Sequence, residues 1–292
     1  MSAPRVITSG LRFPEGPSYL GDGAVMVAEM KGEAISRVDA DGTLTVLGDC
    51  GGAPNGSAAG ANGEYYVANN GGLSAEGMGY WHAPRQFDGI VQRVDPDGTV
   101  VQVGGVLPGV PPHRPNDLCF GPDGTLYVTD SANWEDFRNL NVGHVVAITP
   151  DGTQRQSIEL AAMPNGIAIA PDGRLFVTQS LTKKVLAYEL SDGEITGEPT
   201  VFAKLSGAIP DGFCFTEDGT VYVCGSTGHA IFVYGPDGEL RETIATGDAT
   251  QPTNCCIGDD GNLYVTLALT GQLVAYDLGL KAAPVYRGSV AG

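Results

Sequence analysis

Long apolar runs are absent from this sequence, and so are long segments with apolar residues at helical spacing. A membrane-spanning helix needs about 20 consecutive apolar residues, and an amphipathic helix repeats them every three to four positions. We therefore expect neither a membrane protein nor a mainly helical one. Short runs rich in Val, Tyr, Leu and Phe are present instead, together with 43 glycines, and they predict an all-β protein.

Basic residues are also scarce, with 16 Lys and Arg against 34 Asp and Glu and a formal net charge of −18. Such a surface repels phosphate groups, so we expect no nucleic-acid partner and no anionic membrane. The first ten residues, "MSAPRVITSG", lack a basic segment followed by an apolar one, and the six cysteines show no CxxC spacing. These features predict a cytoplasmic protein with reduced thiols. They do not constrain the oligomeric state.

Two common catalytic patterns are missing. There is no GxSxG phrase, which argues against a serine hydrolase, and the four histidines form no HxxxH pair. A catalytic site in this chain must therefore be built from other residue types.

One phrase occurs six times. Each copy has a proline and then, eight residues later, an Asp-Gly or Asn-Gly pair. The copies are "FPEGPSYLGDGAVMVAEM" (13–30), "APNGSAAGANGEYYVANN" (53–70), "RPNDLCFGPDGTLYVTDS" (114–131), "MPNGIAIAPDGRLFVTQS" (163–180), "IPDGFCFTEDGTVYVCGS" (209–226) and "QPTNCCIGDDGNLYVTLA" (251–268). Each copy reads as a strand, a tight hairpin and a second strand, because glycine supplies the positive φ that such turns require.

A second pair of strands usually follows each phrase and is joined by another Asp-Gly turn, as at Asp151-Gly152. Four strands per repeat predict a six-bladed β-propeller of four-stranded antiparallel blades around a central channel, with residues 1–292 as one domain. The last blade needs a closing strand. Residues 4–9 and the tail at 283–290 both compete for that place.

The turns also predict the faces of the propeller. The tight turns share one face, which we call the lower face, and long loops at 71–88, 104–114 and 131–143 share the upper face. Trp81, His82 and Trp134 lie in these loops and are candidate substrate contacts. Each tryptophan can equally well hold its own loop in place, and His82 can be an ordinary surface residue.

The residue after each proline differs from copy to copy, but all six carry a side-chain oxygen. They are Glu15, Asn55, Asn116, Asn165, Asp211 and Thr253. Oxygen ligands that converge on one channel, two of them carboxylates, are typical of a hard divalent cation such as Ca²⁺ or Mg²⁺. The alternative is structural, because Asn and Asp also stabilise turns. That alternative explains Glu15 poorly.

The residue four places after the proline is small in every copy, and three of these residues are cysteines: Cys119, Cys214 and Cys256. Small residues at this position predict tight packing around the propeller axis rather than reactive thiols.

The repeated phrases resemble those of the SMP-30/gluconolactonase/luciferin-regenerating-enzyme family, which includes regucalcin, over essentially the whole chain. Its members are six-bladed propellers with one metal in the channel. The resemblance implies metal ligation by Glu15 of Glu15-Gly16-Pro17, Asn165 of Asn165-Gly166 and Asp211 of Asp211-Gly212. It implies that Asn116 is a ligand or a substrate contact and that Arg114 binds substrate oxygens. It gives Asn55 no fixed role, and we keep that residue as a candidate substrate contact. The related diisopropyl fluorophosphatase uses a similar set for calcium.

These residues predict a divalent-metal-dependent lactonase, with Asp211 activating water or attacking the substrate itself. Its partner is a small lactone, such as a sugar lactone. Its cofactor is one divalent ion, Ca²⁺ first, with Mg²⁺, Mn²⁺ and Zn²⁺ as alternatives. An organophosphate or ester hydrolase on the same metal site and a non-catalytic calcium-binding or scaffolding propeller are the competing hypotheses. A strictosidine-synthase-like propeller is a fourth, which lacks this full metal set.

Overall fold

Six four-stranded antiparallel sheets make up the fold, which we describe from a computed structural model. The structure describes residues 3–72, 82–105, 107–109, 111–133 and 142–292. Those residues contain single-turn 3₁₀ helices at Met30–Gly32 and Ser226–Gly228 but no α-helix. In the same residues, no helix has the length and apolar character needed to cross a membrane.

The strands follow one another around a ring, so that each blade takes four strands in order. The first strand, β1 (Arg5–Ser9), belongs to the last blade. Blades one to three are formed by β2 (Pro14–Gly21), β3 (Ala24–Glu29), β4 (Ala34–Val38), β5 (Leu44–Asp49), β6 (Pro54–Ala59), β7 (Tyr65–Asn69), β8 (Ile90–Val94), β9 (Val100–Val103), β10 (Pro115–Phe120), β11 (Leu126–Asp130), β12 (Gly143–Ile148) and β13 (Gln154–Leu160). Blades four to six are formed by β14 (Pro164–Ile169), β15 (Leu175–Gln179), β16 (Lys184–Ser191), β17 (Glu194–Lys204), β18 (Pro210–Phe215), β19 (Val221–Gly225), β20 (Ala230–Tyr234), β21 (Leu240–Ala245), β22 (Pro252–Ile257), β23 (Asn262–Leu267) and β24 (Gln272–Asp277).

The predicted six-bladed propeller is therefore confirmed, and its seam is resolved. Strand β1 pairs antiparallel with β24, with Val6 opposite Val274 and Ser9 opposite Gln272. The N-terminal segment thus completes blade six, which is the first of the two alternatives. The C-terminal tail does not take that place.

The Asp-Gly pairs form the turns that the phrases predict. At Asp123-Gly124 the glycine has φ +82, and the aspartate Oδ1 accepts a 3.0 Å hydrogen bond from the Thr125 backbone N–H. A side chain that caps its own turn in this way stabilises the reversal locally. The first and second strands of each blade consequently need no long connection on the lower face.

The core lies between neighbouring blades rather than at the centre of the ring. Six hydrophobic clusters are present, one at each blade interface. At the interface of blades one and two, for example, Met26 and Ile35 pack with Val67 and Val94, and all four are buried. Because apolar burial stabilises the gaps between blades, the axis is left free for polar side chains.

The tail, residues 278–292, crosses the lower face beside the tight turns. Leu280 N–H donates to Gly261 O in blade six, and Ala61 N–H of blade two donates to Gly288 O in the tail. Val290 is buried and belongs to the cluster between blades two and three. The tail therefore joins blades that are distant from one another around the ring.

Candidate functional site

Each first strand is irregular where the repeated phrase begins. The register of the first strand against the second shifts between Glu15 and Ser18 in blade one. A shift starts at the phrase proline in the other five blades. A β-bulge of this kind redirects side chains, and bulges are frequent beside active sites. Six equivalent bulges at one end of a channel therefore set the residues after the prolines apart from regular strand residues.

The six residues after the prolines are largely removed from solvent. Glu15, Asn55, Asn116, Asn165 and Thr253 are buried, and Asp211 is partly exposed. The Asn165 and Ser226 side chains lie near the Asp211 carboxyl group and act to lower its pKa. Blades four and five thus bring two of the predicted ligands close together.

Three carboxyl groups influence one another in this part of the channel. Burial raises the pKa of Glu15, and the nearby Asp211 and Asp117 carboxylates raise it further. Burial raises the pKa of Asp211 to about 8, with Asp117 adding to the shift, and burial raises the pKa of Asp117 to about 7. Over the described parts of the chain, no ion pair joins any of the three to a lysine or arginine.

A divalent cation suits this donor set. Concentrated negative charge with carboxylate and amide oxygens around it is the chemistry that Ca²⁺ and Mg²⁺ prefer. Within the described ranges, no group of three or more His, Cys, Asp or Glu side chains is arranged to hold a metal. The candidate set differs from such a group, because it combines the Glu15 and Asp211 carboxylates with the amides of Asn116 and Asn165.

Hydroxyl groups of one blade hold the candidate ligands of the next. The Thr178 hydroxyl donates to the Asp211 carbonyl oxygen at 2.8 Å, and the Ser180 hydroxyl donates to the Pro210 carbonyl oxygen at 3.0 Å. Thr129 and Ser131 make the equivalent bonds to Asn165 and Pro164. The Thr and Ser of the repeated "VTDS" and "VTQS" phrases therefore fix the backbone from which Asn165 and Asp211 project.

One pair of channel residues was not predicted from the sequence. The Asn254 amide of blade six donates to Asp117 Oδ2 of blade three across the channel at 3.0 Å. The sequence does distinguish this pair at the position two residues after the phrase proline. That position is glycine in four copies (Gly16, Gly56, Gly166 and Gly212), whereas Asp117 and Asn254 occupy it in the other two.

Glycine in this slot makes room for neighbouring blades. A Cβ on Gly212 would lie 1.9 Å from the Asn254 amide carbon, so a side chain there would displace Asn254. Gly16 has φ +40, and a Cβ there would lie 2.6 Å from the Asn55 carbonyl oxygen. The recurring glycines thus explain how polar strands approach one another so closely at the axis.

Arg114, the predicted substrate anchor, lies in a buried polar cluster. Its backbone N–H donates to Asp130 Oδ1 at 2.7 Å, and its Nη1 donates to the His113 carbonyl oxygen at 2.6 Å. Asp130 Oδ2 lies 2.9 Å from His113 Nδ1, and the His113 N–H donates to Asp88 Oδ1 at 2.7 Å. The Arg114 side chain is only 1% exposed, so a substrate reaches the guanidinium only when neighbouring atoms move.

Of the three loop candidates, His82 alone lies within the described residues. His82 is exposed. Trp81 and Trp134 lie outside the described residues. Their predicted contacts with substrate remain predictions.

Comparison with known proteins identifies relatives of the chain. The family model described as "SMP-30/Gluconolactonase/LRE-like region" matches residues 13–269. A gluconolactonase of Zymomonas mobilis is 24% identical over 167 residues, which cover 51% of this chain and 46% of that protein. The chain thus spans about half the length of this curated relative.

Solved structures share the fold at lower identity. A luciferin-regenerating enzyme superposes with a TM-score of 0.80 at 17% identity and covers 99% of this chain and 100% of its own. Regucalcin from Agrobacterium tumefaciens, described as a calcium-binding protein, has a TM-score of 0.73 at 18% identity, with 99% and 98% covered. Identities this low establish a common propeller architecture.

Proposed function

Because this chain belongs to the SMP-30/gluconolactonase/LRE-like family, we propose that it is a divalent-metal-dependent lactonase acting on a small lactone. One observation carries the proposal. Glu15, Asn165 and Asp211, the residues that the family resemblance assigns to the metal, lie together in one channel. The similarity to a gluconolactonase supports the reaction class.

Glu15, Asn165 and Asp211 would hold one cation, with Asn116 as a further ligand or a substrate contact. When bound, the cation polarises the lactone carbonyl and stabilises the negative charge that develops on its oxygen. Asn55 and Arg114 would contact the substrate oxygens, with His82, Trp81 and Trp134 contributing from the loops. A lactone carries several oxygens, which suits this polar surround.

Asp211 is the proposed general base. Without an ion its pKa is about 8, and a bound cation would lower that pKa and keep the carboxylate ionised at neutral pH. The carboxylate then accepts the proton from water as the water oxygen bonds to the carbonyl carbon. The ring C–O bond then breaks, and the leaving oxygen takes the proton back from Asp211, which yields the hydroxy acid. The neighbouring Asn165 side chain would help to orient the carboxylate for this transfer. Direct attack by Asp211 would instead give an acyl-enzyme that water hydrolyses.

The test is acid release from a panel of sugar and simple lactones by chelator-treated protein, with Ca²⁺, Mg²⁺, Mn²⁺ or Zn²⁺ restored singly. We expect activity that depends on the ion. The Asp211→Asn variant should fold normally and lose turnover by about 100-fold or more, the scale of general acid–base catalysis. Asp218→Asn is the matched control, because Asp218 is an exposed turn residue of the same blade.

Full activity of Asp211→Asn without added metal would overturn the proposed mechanism. If every lactone is inert although the protein binds metal, hydrolysis of a phosphotriester and an aryl ester should be measured next. That result would favour the organophosphate or ester hydrolase.

A calcium-binding role without catalysis is the second candidate, and the similarity to regucalcin favours it. Both candidates predict that Glu15→Gln weakens Ca²⁺ binding, because one ligand oxygen loses its charge. We expect a loss of roughly ten-fold or more in affinity by calorimetry. The control is Glu242→Gln on the exposed outer strand β21, which should bind Ca²⁺ as the unaltered protein does.

A further inference from the structure

A cavity lies in the lower half of the channel, apart from the candidate metal site. It has a volume of ≈ 410 Å³ and begins below the Asp117–Asn254 hydrogen bond, which forms its roof. Its walls are the residues three to five places after the phrase prolines, including Leu118, Ile167 and Phe213. Glu15, Asn165 and Asp211 are not among them. We call this cavity the lower chamber.

The tail forms the floor of the lower chamber. Residues 282–287 line the cavity, and they are attached to three alternate blades. Ala283 N–H donates to Phe215 O of blade five, and Tyr286 forms a bridge with Phe120 of blade three. The Arg287 guanidinium lies 3.4 Å from the Tyr19 carbonyl oxygen of blade one. A floor held at three points around the axis makes the chamber a built feature of the fold.

The residues four places after the prolines keep the chamber open. They are small and partly buried, and they line the chamber: Ser18, Ala58, Cys119, Ala168, Cys214 and Cys256. All but Ser18 also pack against the hydrophobic clusters, as the sequence predicts. Burial raises the pKa of the three thiols, so they are neutral and poorly nucleophilic near neutral pH. These residues therefore offer polarisable, largely apolar contact.

The charges around the chamber disfavour an ionic ligand. An anion would face the Asp117 carboxyl group at the roof and Asp259 near the tail, and Arg287 in the floor is the one lysine or arginine in the described lining that could offset them. A cation would have to lose its water against apolar walls and thiols. Asp117 compensates poorly for that loss, because its oxygens already accept bonds from the Leu118 N–H and the Asn254 amide.

We propose that the lower chamber is a binding site for a small, uncharged, largely apolar ring compound, separate from the site above it. Its volume falls in the range of roughly 300–1,000 Å³ that is typical of small-molecule pockets. Apolar cavities of smaller size take up aromatic rings in preference to water. The proposal is independent of the lactonase proposal, because it uses none of the candidate ligands or substrate contacts.

The test uses 5-fluoroindole as the probe and follows its binding to the full chain by ¹⁹F NMR. We expect saturable binding. Ala168→Leu, which adds three carbons to the chamber wall, should weaken it by about ten-fold or more, because the added carbons occupy space that the ring would take. Ala245→Leu, at an exposed position of β21, is the matched control and should bind as the unaltered protein does. Asp211→Asn should also bind 5-fluoroindole normally. The anionic indole-3-acetate should bind at least about ten-fold more weakly than uncharged indole.

Ala58→Leu fills the wall two blades away and serves if Ala168→Leu does not fold. Intermolecular NOEs from indole to the methyl groups of Ile167 and Ile257, both in the lining, give a reading that needs no variant. Absence of saturable binding up to the solubility limit of indole would overturn the proposal. The proposal would also be overturned if both filled variants bound the probe as tightly as the unaltered protein does, or if Asp211→Asn lost binding.

Discussion

At the scale of single residues, Asp130 organises the top of blade three. Its two oxygens contact the His113 ring and the Arg114 backbone, and Oδ1 also accepts a 3.0 Å hydrogen bond from the Ala132 N–H. Arg114 directly precedes strand β10, and Asn116 is the second residue of that strand. The position of two proposed substrate contacts therefore depends on a carboxylate that touches no substrate.

His113 should titrate above the ordinary histidine range, because the hydrogen bond that its ring donates to Asp130 raises its pKa. Asp88 acts in the same direction, and burial and Arg114 act against it. Since the unfolded chain has a histidine pKa of about 6.5, the stability gained from the charged ring is complete below that pH. It is lost as the pH rises through the higher folded value.

An NMR titration of the imidazole protons measures this directly. His113→Gln identifies the resonance and should remove that part of the pH dependence of urea unfolding. A His113 pKa at or below about 6.5 would contradict the expectation.

At the scale of elements, the tail stabilises the fold through a few buried contacts. Val290 is 1% exposed, and its N–H donates to the Tyr66 hydroxyl at 2.7 Å, whereas Val285 on the same segment is 75% exposed. The Ser289 hydroxyl also contacts the Glu64 carboxylate. These contacts make 288–291 the anchor of the tail and leave 285 outside the core.

Val290→Ala should therefore lower the free energy of unfolding by roughly 1–2 kcal/mol, because two buried methyl groups are lost and a small cavity forms. Urea denaturation of both proteins measures the difference. Val285→Ala deletes the same atoms from an exposed position and should change stability by less than about 0.5 kcal/mol. Equal losses in the two variants would show that the anchor lies elsewhere.

The sequence predicts elements of this fold unevenly, and for physical reasons. Blades could be predicted because each Asp-Gly turn is local, so its chemistry is visible within a few residues. The same holds for Glu15 and Asp211, which occupy one slot of a repeated phrase. The Asp117–Asn254 bond could not be predicted, because it joins residues 137 positions apart that meet only when the ring closes. The path of the tail carries no repeat at all, and its contacts depend on the finished lower face.

At the scale of the whole molecule, closure of the ring rests on the pairing of β1 with β24. This pairing joins the two ends of the chain, whereas every other sheet contact within a blade is made by strands close in sequence. Unfolding must therefore separate residues that are almost a full chain length apart. The entropy recovered on that separation is greater than for opening any one hairpin.

A disulfide across the seam should consequently stabilise the protein more than a disulfide within a blade. Ser9 and Gln272 are opposite each other in β1 and β24, and their side chains approach to 3.4 Å, so Ser9→Cys with Gln272→Cys offers a suitable pair. Lys184 and Lys204 are opposite each other in blade four and give the matched control, Lys184→Cys with Lys204→Cys.

The seam disulfide closes residues 9–272, and the control closes residues 184–204. Loop entropy then predicts about 2 kcal/mol more stabilisation for the seam pair. Each protein is compared with its own reduced form by urea unfolding, which cancels the effect of the substitutions, and mass spectrometry verifies the bond. If the seam pair forms no disulfide in the folded protein, or stabilises it no more than the blade-four pair, then β1 does not hold the ring closed. The Thr253 hydroxyl of blade six donates to the Pro14 carbonyl oxygen of blade one, beside Glu15. Opening of the seam should therefore disturb the candidate metal site first.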